Sequence, residues 1–114
     1  MAKTPEGAVK DDIRRMLEQE FNIWWAGKKP RPPGPINAWG YMPVKASAFG
    51  VNGIPDFVLC VYEKFVGIEA KAPDGAQSVN QQDREIEIRA AGGVYILASS
   101  AMEARQKLEA EGFL

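Results

Sequence analysis

Apolar side chains recur at helical spacing near the start of the chain. Val9, Ile13 and Leu17 lie four positions apart, so they line one face of a helix predicted over about 5–20. A Thr-Pro-Glu sequence stands just before this pattern. It is typical of a helix N-cap, a proline in the first turn and an acid near the positive end of the helix dipole.

Two more helices are predicted by their capping residues in the second half of the chain. Ser78 is a candidate N-cap for a helix that reaches about Ala91, where Gly92-Gly93 ends it. Ser100 is followed three residues later by a glutamate, which predicts a capping box and a final helix that ends at Gly112.

The remaining apolar runs predict strands. The stretch "PDFVLCVYEKFVGIEAKA" indicates two strands joined by a tight turn at Glu63-Lys64, "YMPVKASAFG" (41–50) a short strand at an edge, and "VYILA" (94–98) a buried strand. On the second strand of the pair, alternation separates two faces. One face carries Phe65, Gly67, Glu69 and Lys71, and the other carries Val66, Ile68 and Ala70.

Proline punctuates one segment strongly. Residues 28–43 contain five of the eight prolines, so we expect an exposed, stiff loop that is neither a helix nor a central strand. The predicted order is α-β-β-β-α-β-α. It corresponds to an α/β fold in which a small mixed sheet is flanked by helices, in one domain over residues 1–114.

Composition narrows the chemistry. Histidine is absent, which excludes Ser-His and Cys-His nucleophile pairs, histidine-dependent nucleases and the usual zinc sites. A hard cation held by oxygen ligands is still compatible with the composition. The one cysteine, Cys60, rules out an internal disulfide and is expected to be a small core residue in a reducing, cytoplasmic setting. No apolar run of about 18 residues or secretory signal is found, so no membrane partner is expected.

Charge is distributed unevenly. Residues 1–50 hold eight Lys and Arg against five Asp and Glu, whereas residues 51–114 hold six against ten. One interpretation is ordinary surface variation. The other is an acidic site with a basic flank, which suits a metal ion and a polyanion.

Charged residues interrupt the two apolar strands at one end. Glu69 and Lys71 lie on one face roughly 6–7 Å apart, and Asp56 is expected near the far end of the partner strand. Asp56, Glu69 and the backbone carbonyl of Ala70 could hold a divalent ion, with Lys71 orienting water or neutralising a scissile phosphate. The alternative is an ordinary surface salt bridge between Glu69 and Lys71.

The "PD" at 55–56 and the "EAK" at 69–71 together resemble the PD-(D/E)XK nuclease superfamily. The segments "MPVKASAFGVNGIPDFVLC", "FVGIEAKAPDGAQSVNQQ" and "IRAAGGVYILAS" further resemble the virus-type replication-repair nuclease (VRR-NUC) family, from Glu6 to about Ser99. The resemblance implies a restriction-endonuclease-like fold and a DNA endonuclease dependent on Mg²⁺ or Mn²⁺. Phosphodiester hydrolysis would then proceed by in-line attack of water.

The resemblance also implies roles for individual residues. Asp56 and Glu69 would be metal ligands, Lys71 the catalytic lysine, Gln81 a glutamine near the site and Glu6 an acid that approaches the metal. Two of these residues have structural explanations as well. Gln81 completes a capping box with Ser78, and Glu6 suits the start of a helix.

Basic residues are candidates for contact with DNA, either branched or duplex. They are Lys10, Arg14, Lys28, Lys29, Arg31 and Lys45. Together with Trp39, the cations of the proline-rich segment could form an arm whose lysines track phosphates and whose aromatic ring stacks on unpaired bases. The alternative is a packed or disordered loop.

Small stand-alone members of the resembling family, many from phages, form homodimers that cut four-way (Holliday) junctions. A homodimer in a bacterial or phage-infected cell is therefore expected, with Trp24 and Trp25 in the core or at the interface. Two other functions remain open. One is a non-catalytic DNA-binding or assembly module, and the other is a general DNA nickase without preference for junctions.

Overall fold

The computed structural model describes residues 3–44 and 50–114. In chain order, the elements are α1 (Pro5–Phe21), β1 (Trp24–Trp25), β2 (Ala38–Tyr41), β3 (Phe57–Val61), β4 (Lys64–Ala70), α2 (Val79–Ala90), β5 (Val94–Ala98) and α3 (Ala101–Ala110). The predicted α/β class, with a small mixed sheet flanked by helices, is confirmed. None of the helices in the described residues is both long and apolar enough to cross a membrane.

The five strands form one mixed sheet in the order β1-β2-β3-β4-β5. The pairs β2–β3 and β3–β4 are antiparallel, while the outer pairs β1–β2 and β4–β5 are parallel. The crossover from β4 to β5 contains α2, as a parallel connection requires.

The hydrophobic core lies on one face of this sheet, beneath α1 and α3. Ile13 and Leu17 of α1 and Leu108 of α3 are fully buried against it. Phe57, Leu59 and Val61 of β3 point into this core, and so do Val66, Ile68 and Ala70 of β4; all six residues are buried. Burying this apolar surface is the main term that stabilises the fold.

Helix α2 lies on the opposite face, near β4 and β5. A Cβ placed on Gly67 would lie 2.9 Å from Pro55 Cγ and 3.5 Å from Ile88 Cδ1, so the loop before β3 and helix α2 both approach this face closely. Strand β4 is therefore buried on both sides from Val66 to Ala70. The helix begins at the predicted cap, since Ser78 Oγ accepts from the backbone N–H of Gln81.

Two predictions about the strands are wrong. Of the described residues in the predicted strand at 41–50, only Tyr41 is in a strand, and residues 45–49 lie outside the described residues. Strand β2 lies inside the proline-rich segment at Ala38–Tyr41 and is second in the sheet, not at its edge. It can pair there because residues 36–42 contain no proline, so their backbone N–H groups are available. The edge position is taken by β1, an unpredicted strand of only two residues.

The β3–β4 hairpin also differs in detail from expectation. Its two-residue turn is Tyr62-Glu63, one position earlier than predicted, with φ of 49° and 70°. Two left-handed residues match the right-handed twist of the flanking strands. Cys60 is exposed, contrary to prediction, because it alternates to the face opposite the core.

The outer edge of β5 is occupied by cationic side chains. Arg89 Nη2 of α2 donates to the carbonyl oxygen of Tyr95 at 3.1 Å, and Lys107 Nζ of α3 donates to that of Leu97 at 2.7 Å. The carbonyl of Ala98 faces β4, because it accepts from the N–H of Lys71 just after that strand. The carbonyls of Tyr95 and Leu97 alternate with it and therefore point away from β4. Side chains from the two neighbouring helices thus take up acceptors that a further strand would use.

Candidate active site and nucleic-acid interface

The β3–β4 hairpin brings the two predicted carboxylates together at its open end. Phe57 pairs with Ile68, so Asp56 stands opposite Glu69, one step beyond the last pair. The backbone N–H of Ala70 donates to Asp56 Oδ2 at 2.8 Å, which fixes this carboxylate against the end of β4. The pairing register alone therefore produces the convergence that the sequence predicts.

Glu69 is a buried acid with one uncommitted oxygen. Only 2% of the residue is exposed, and its Oε2 accepts from Gln81 Nε2 at 3.1 Å. Oε1 is also buried but has no hydrogen-bond partner among the residues that the structure describes. Such an atom normally has one, so Oε1 is free to serve as a ligand.

The electrostatic state of Glu69 reflects this position. Burial raises the pKa of its carboxyl from 4.5 to about 9, and the neighbouring negative charge of Asp56 adds to the rise. Without a metal, the Glu69 carboxyl consequently keeps its proton at neutral pH. A divalent cation at this point would replace that proton and stabilise both charges.

Gln81 joins the helix cap to the acidic pair. Its Oε1 accepts from the backbone N–H of Ser78 at 2.9 Å, and its Nε2 donates to Glu69. The capping role and the position at the site, which the sequence presents as alternatives, therefore coexist. The capping box fixes the rotamer that aims Nε2 at the carboxylate.

Two lysines flank the acids. Lys71 Nζ lies 3.6 Å from Glu6 Oε1, and only 12% of the Lys71 side chain is exposed. Lys10 Nζ of α1 lies 3.8 Å from Asp56 Oδ1. The alternative of a solvated Glu69–Lys71 surface pair is wrong, because Glu69 is buried.

The site opens into a cleft of about 910 Å³ between α1, the loop before β3 and the start of α2. Glu6, Lys10, Asp56, Glu69 and Gln81 all line it. The acidic pair and the cationic Lys10 therefore face one shared space.

One glycine sets how closely the wall of the cleft approaches α2. Gly53 has φ of +87°, and a Cβ there would lie 2.4 Å from the carbonyl carbon and oxygen of Asn80. Only glycine fits this contact between two backbones. It positions the loop that carries Asp56 against the turn that carries Gln81.

The donor set suits a hard cation. Asp56 and Glu69 offer carboxylate oxygens, and the carbonyl of Ala70 is the predicted third ligand, which matches the oxygen ligands of Mg²⁺ and Mn²⁺. Glu6, the fourth predicted ligand, is half exposed and paired with Lys71. Within residues 3–44 and 50–114, no three His, Cys, Asp or Glu side chains are grouped closely enough to hold a metal by themselves.

The basic residues proposed for DNA contact fall in separate places. Lys10 lines the cleft, and Arg14 is exposed one turn further along α1. Lys28, Lys29 and Arg31 are exposed between β1 and β2. Lys45 lies outside the described residues.

The sequence predicts a DNA contact for Lys10 but not its pairing with Asp56, an acid of the candidate site. A signal was present, because Lys10 follows Glu6 by four residues and the two share one face of α1. Since Glu6 was already a candidate, its helical neighbour was also a candidate for the site.

Comparison of the chain with protein-family models, curated proteins and solved structures found no significant match. Function is therefore inferred from the geometry of the site and from the motif resemblance.

Proposed function

We propose that this chain is a Mg²⁺- or Mn²⁺-dependent DNA endonuclease of the PD-(D/E)XK type, close to the VRR-NUC family with its restriction-endonuclease-like fold. The observation that carries the proposal is Glu69 Oε1, a buried carboxyl oxygen with no hydrogen-bond partner in residues 3–44 and 50–114, beside the carboxyl group of Asp56. Folding such a group costs free energy unless a ligand compensates it. A site that retains this arrangement suits cation binding.

The residues divide the work of phosphodiester hydrolysis. A bound Mg²⁺ or Mn²⁺ supplies Lewis-acid polarisation of the phosphate and makes water a better nucleophile. Asp56 and Glu69 hold the cation, and Gln81 holds Glu69 in orientation. The Lys71 ammonium offsets the negative charge that develops on the phosphate during in-line attack.

Lys10 adds a second positive group to this scheme. Its Nζ lies 3.8 Å from Asp56 Oδ1, and both residues line the cleft. We assign it to binding the phosphate next to the scissile bond.

The preferred substrate in this proposal is branched DNA such as a four-way junction, cut by a homodimer. This part comes from the family resemblance. Two sites related by a twofold axis suit a symmetric junction and paired nicks.

Cleavage of a labelled four-way junction in Mg²⁺ or Mn²⁺ tests the activity. Asp56→Asn and Lys71→Ala should each lower the cleavage rate by at least about 100-fold, as loss of a group that stabilises transition-state charge does. Asp74→Asn removes an acid from an exposed loop, and Arg105→Ala removes a cation from α3. Both controls should cut normally. Equal rates for all four variants would rule out this site.

Calorimetry with Mn²⁺ tests the metal site independently of cleavage. Wild-type protein should bind Mn²⁺, and Asp56→Asn or Glu69→Gln should abolish the heat of binding. Mn²⁺ binding that is unchanged in both variants would place the metal elsewhere.

One observation favours a second function, a non-catalytic DNA-binding module. Lys10 and Lys71 already pair with Asp56 and Glu6, so much of the charge in the cleft is balanced without a metal. This function predicts that wild-type protein binds the junction in either metal but leaves it intact. Equal cutting of linear duplex would instead indicate a general nickase.

A further inference from the structure

The sheet face opposite the core is only partly covered. Helix α2 packs on it near β4 and β5, while no other described helix or strand covers the surface over β1, β2 and β3. Trp39, Tyr41 and Phe65 are 38%, 46% and 41% exposed there. Large aromatic groups rarely gather in the open unless a partner covers them.

The strand register arranges these residues in order. Trp24 pairs with Trp39, Trp39 with Cys60, and Cys60 with Phe65, so the four lie in a row across the sheet on one face. Tyr41 lies two residues along β2, and its ring stacks on that of Trp39 with a centroid distance of 6.4 Å and an interplanar angle of 24°. We call Trp24, Trp39, Tyr41 and Phe65 the aromatic platform.

The charge around the platform selects its partner. The chain has no Asp or Glu between Glu20 and Asp56, although this stretch holds four cations. Lys28 Nζ lies 4.7 Å from the centroid of the Trp24 ring, and Lys29 and Arg31 follow in the same exposed segment. A polyanion complements this surface. A second copy of the chain would bring two like-charged segments together.

The platform and the candidate active site share one face of the sheet. Phe65, Gly67 and Glu69 alternate on the same side of β4, so the row of rings and the carboxylate occupy adjacent parts of that side. Tyr41 is on the strand end nearest the site, because its partner Val58 lies two residues from Asp56.

We propose that the aromatic platform binds unpaired bases of a single-stranded nucleic-acid segment by stacking, while Lys28, Lys29 and Arg31 contact its phosphates. Every base presents a flat π-face, so the contact needs no particular sequence. The inference deepens the proposed nuclease function and rests on it for its biological role. It names the substrate class as nucleic acid that carries an unpaired stretch beside the bond to be cut.

Binding in EDTA separates this proposal from catalysis. Fluorescence anisotropy of a short labelled oligodeoxythymidine, at low salt, measures affinity without cleavage. Trp39→Leu keeps an apolar strand residue but removes the ring, and it should weaken binding at least about tenfold, the scale of one base–aromatic stack. Trp39→Phe restores a ring and should stay within about threefold of wild type. Met102→Ala, at an exposed α3 position on the other side of the sheet, should have no effect.

Cys60 provides a readout in the unmodified protein. It is the only cysteine, it is exposed, and it pairs with Trp39 and Phe65 in the middle of the platform. Bound oligodeoxythymidine should slow its reaction with Ellman's reagent several-fold, and blunt duplex DNA at the same concentration should not.

Several results would overturn the proposal. The first is that the oligonucleotide does not bind, and the second is that it binds equally well to Trp39→Leu and Tyr41→Leu. The third is that Cys60 becomes protected as protein concentration rises, without any oligonucleotide. The last would assign the face to self-association. Circular dichroism melting of each variant shows whether a lost signal reflects unfolding, in which case Trp39→Phe and Cys60 protection decide.

The two proposals fail separately. If the platform is wrong but the nuclease is right, junction cleavage still depends on Asp56 while Trp39→Leu binds single strands normally. If the nuclease is wrong, no metal supports cleavage, yet oligonucleotide binding still depends on Trp39.

Discussion

Gln81 shows how one side chain serves both the fold and the site. Its side-chain oxygen Oε1 accepts from the backbone N–H of Ser78 in the capping box of α2, and its side-chain nitrogen Nε2 donates to Glu69. Helix capping is a local property that four consecutive residues determine. The contact with Glu69 requires, in addition, that α2 begins directly above the end of β4.

The two roles of Gln81 can be separated by a pair of variants. Ser78→Ala removes a cap but leaves the Glu69 contact, so it should cost about 1 kcal/mol of stability with little change in activity. Gln81→Ala removes both and should also lower Mn²⁺ affinity or cleavage by about 10–100-fold. Chemical denaturation and cleavage rates measure the two effects. Equal activities in the two variants would reduce Gln81 to a cap.

Glu69 makes the stability of the metal-free protein dependent on pH. Its pKa is 4.5 when unfolded and about 9 when folded, so the folded state binds the proton more tightly. This contribution to stability is fully present below pH 4.5 and is lost as pH rises toward about 9. We therefore expect the melting temperature in EDTA to fall across that range.

The matched control for this pH effect is Glu69→Gln, which is neutral at every pH. Its melting temperature should vary less between pH 5 and pH 9 than that of wild type. A steeper or unchanged slope in the variant would show that another group is responsible.

The motif residues were predictable one by one, because Asp56, Glu69 and Lys71 stand at fixed spacing on two strands. The pairing of Lys10 with Asp56 was not. It depends on how α1 docks over the sheet, and that geometry comes from the packing of Ile13 and Leu17 into the core.

At the scale of elements, the loop before β3 and the first turn of α2 act as one unit. Gly53 and Asn80 touch through their backbones, so any side chain at 53 must push the two apart. The loop leads directly into Pro55 and Asp56. Displacing it therefore moves a carboxylate of the candidate site.

Gly53→Ala should damage stability and site together. Alanine in the left-handed φ of Gly53 should lower the free energy of unfolding by about 1–2 kcal/mol, and the clash of its Cβ with Asn80 by about 1–3 kcal/mol more. Gly92→Ala is the control, since its φ is +88° but nothing lies within 4 Å of the added Cβ. It should show the backbone cost alone and keep full cleavage activity. Equal losses in stability and activity would mean that the Asn80 contact is unimportant.

The helices were easier to predict than the strands. Thr4, Ser78 and Ser100 mark the helix starts through local capping, and all three act as N-caps. Strand β2 was misplaced because proline density was averaged over 28–43, although its proline-free stretch is long enough for four strand residues. Strand β1 has no period of its own and forms only because β2 lies beside it.

For the whole molecule, the net charge of −1 is the sum of regions with different charge. Acids are missing from the stretch between Glu20 and Asp56, which includes β1, β2 and the exposed cations beside them. The candidate site at the other end of the same sheet face holds the buried Glu69 and the partly buried Asp56. An anionic chain would be attracted to one part and need a cation at the other.

This distribution predicts a graded salt dependence for single-strand binding. Replacing Lys28 and Lys29 by alanine should lower the slope of log affinity against log salt by about 0.7 for each lysine that contacts a phosphate. Arg105→Ala on α3 should leave the slope unchanged. A slope that all of these variants share would mean that the segment between β1 and β2 does not contact the nucleic acid.

The covered edge of β5 has a consequence for how this molecule behaves at high concentration. Arg89 and Lys107 donate to the outward-facing carbonyls of β5, so these carbonyls are not available to a further strand. At the opposite edge, β1 has only two residues, and the prolines that follow it have no backbone N–H to donate to a neighbouring strand. Among the described residues, the outer carbonyls of β5 are thus occupied and β1 offers few free backbone groups. We expect copies of this protein at high concentration to resist edge-to-edge pairing of their sheets.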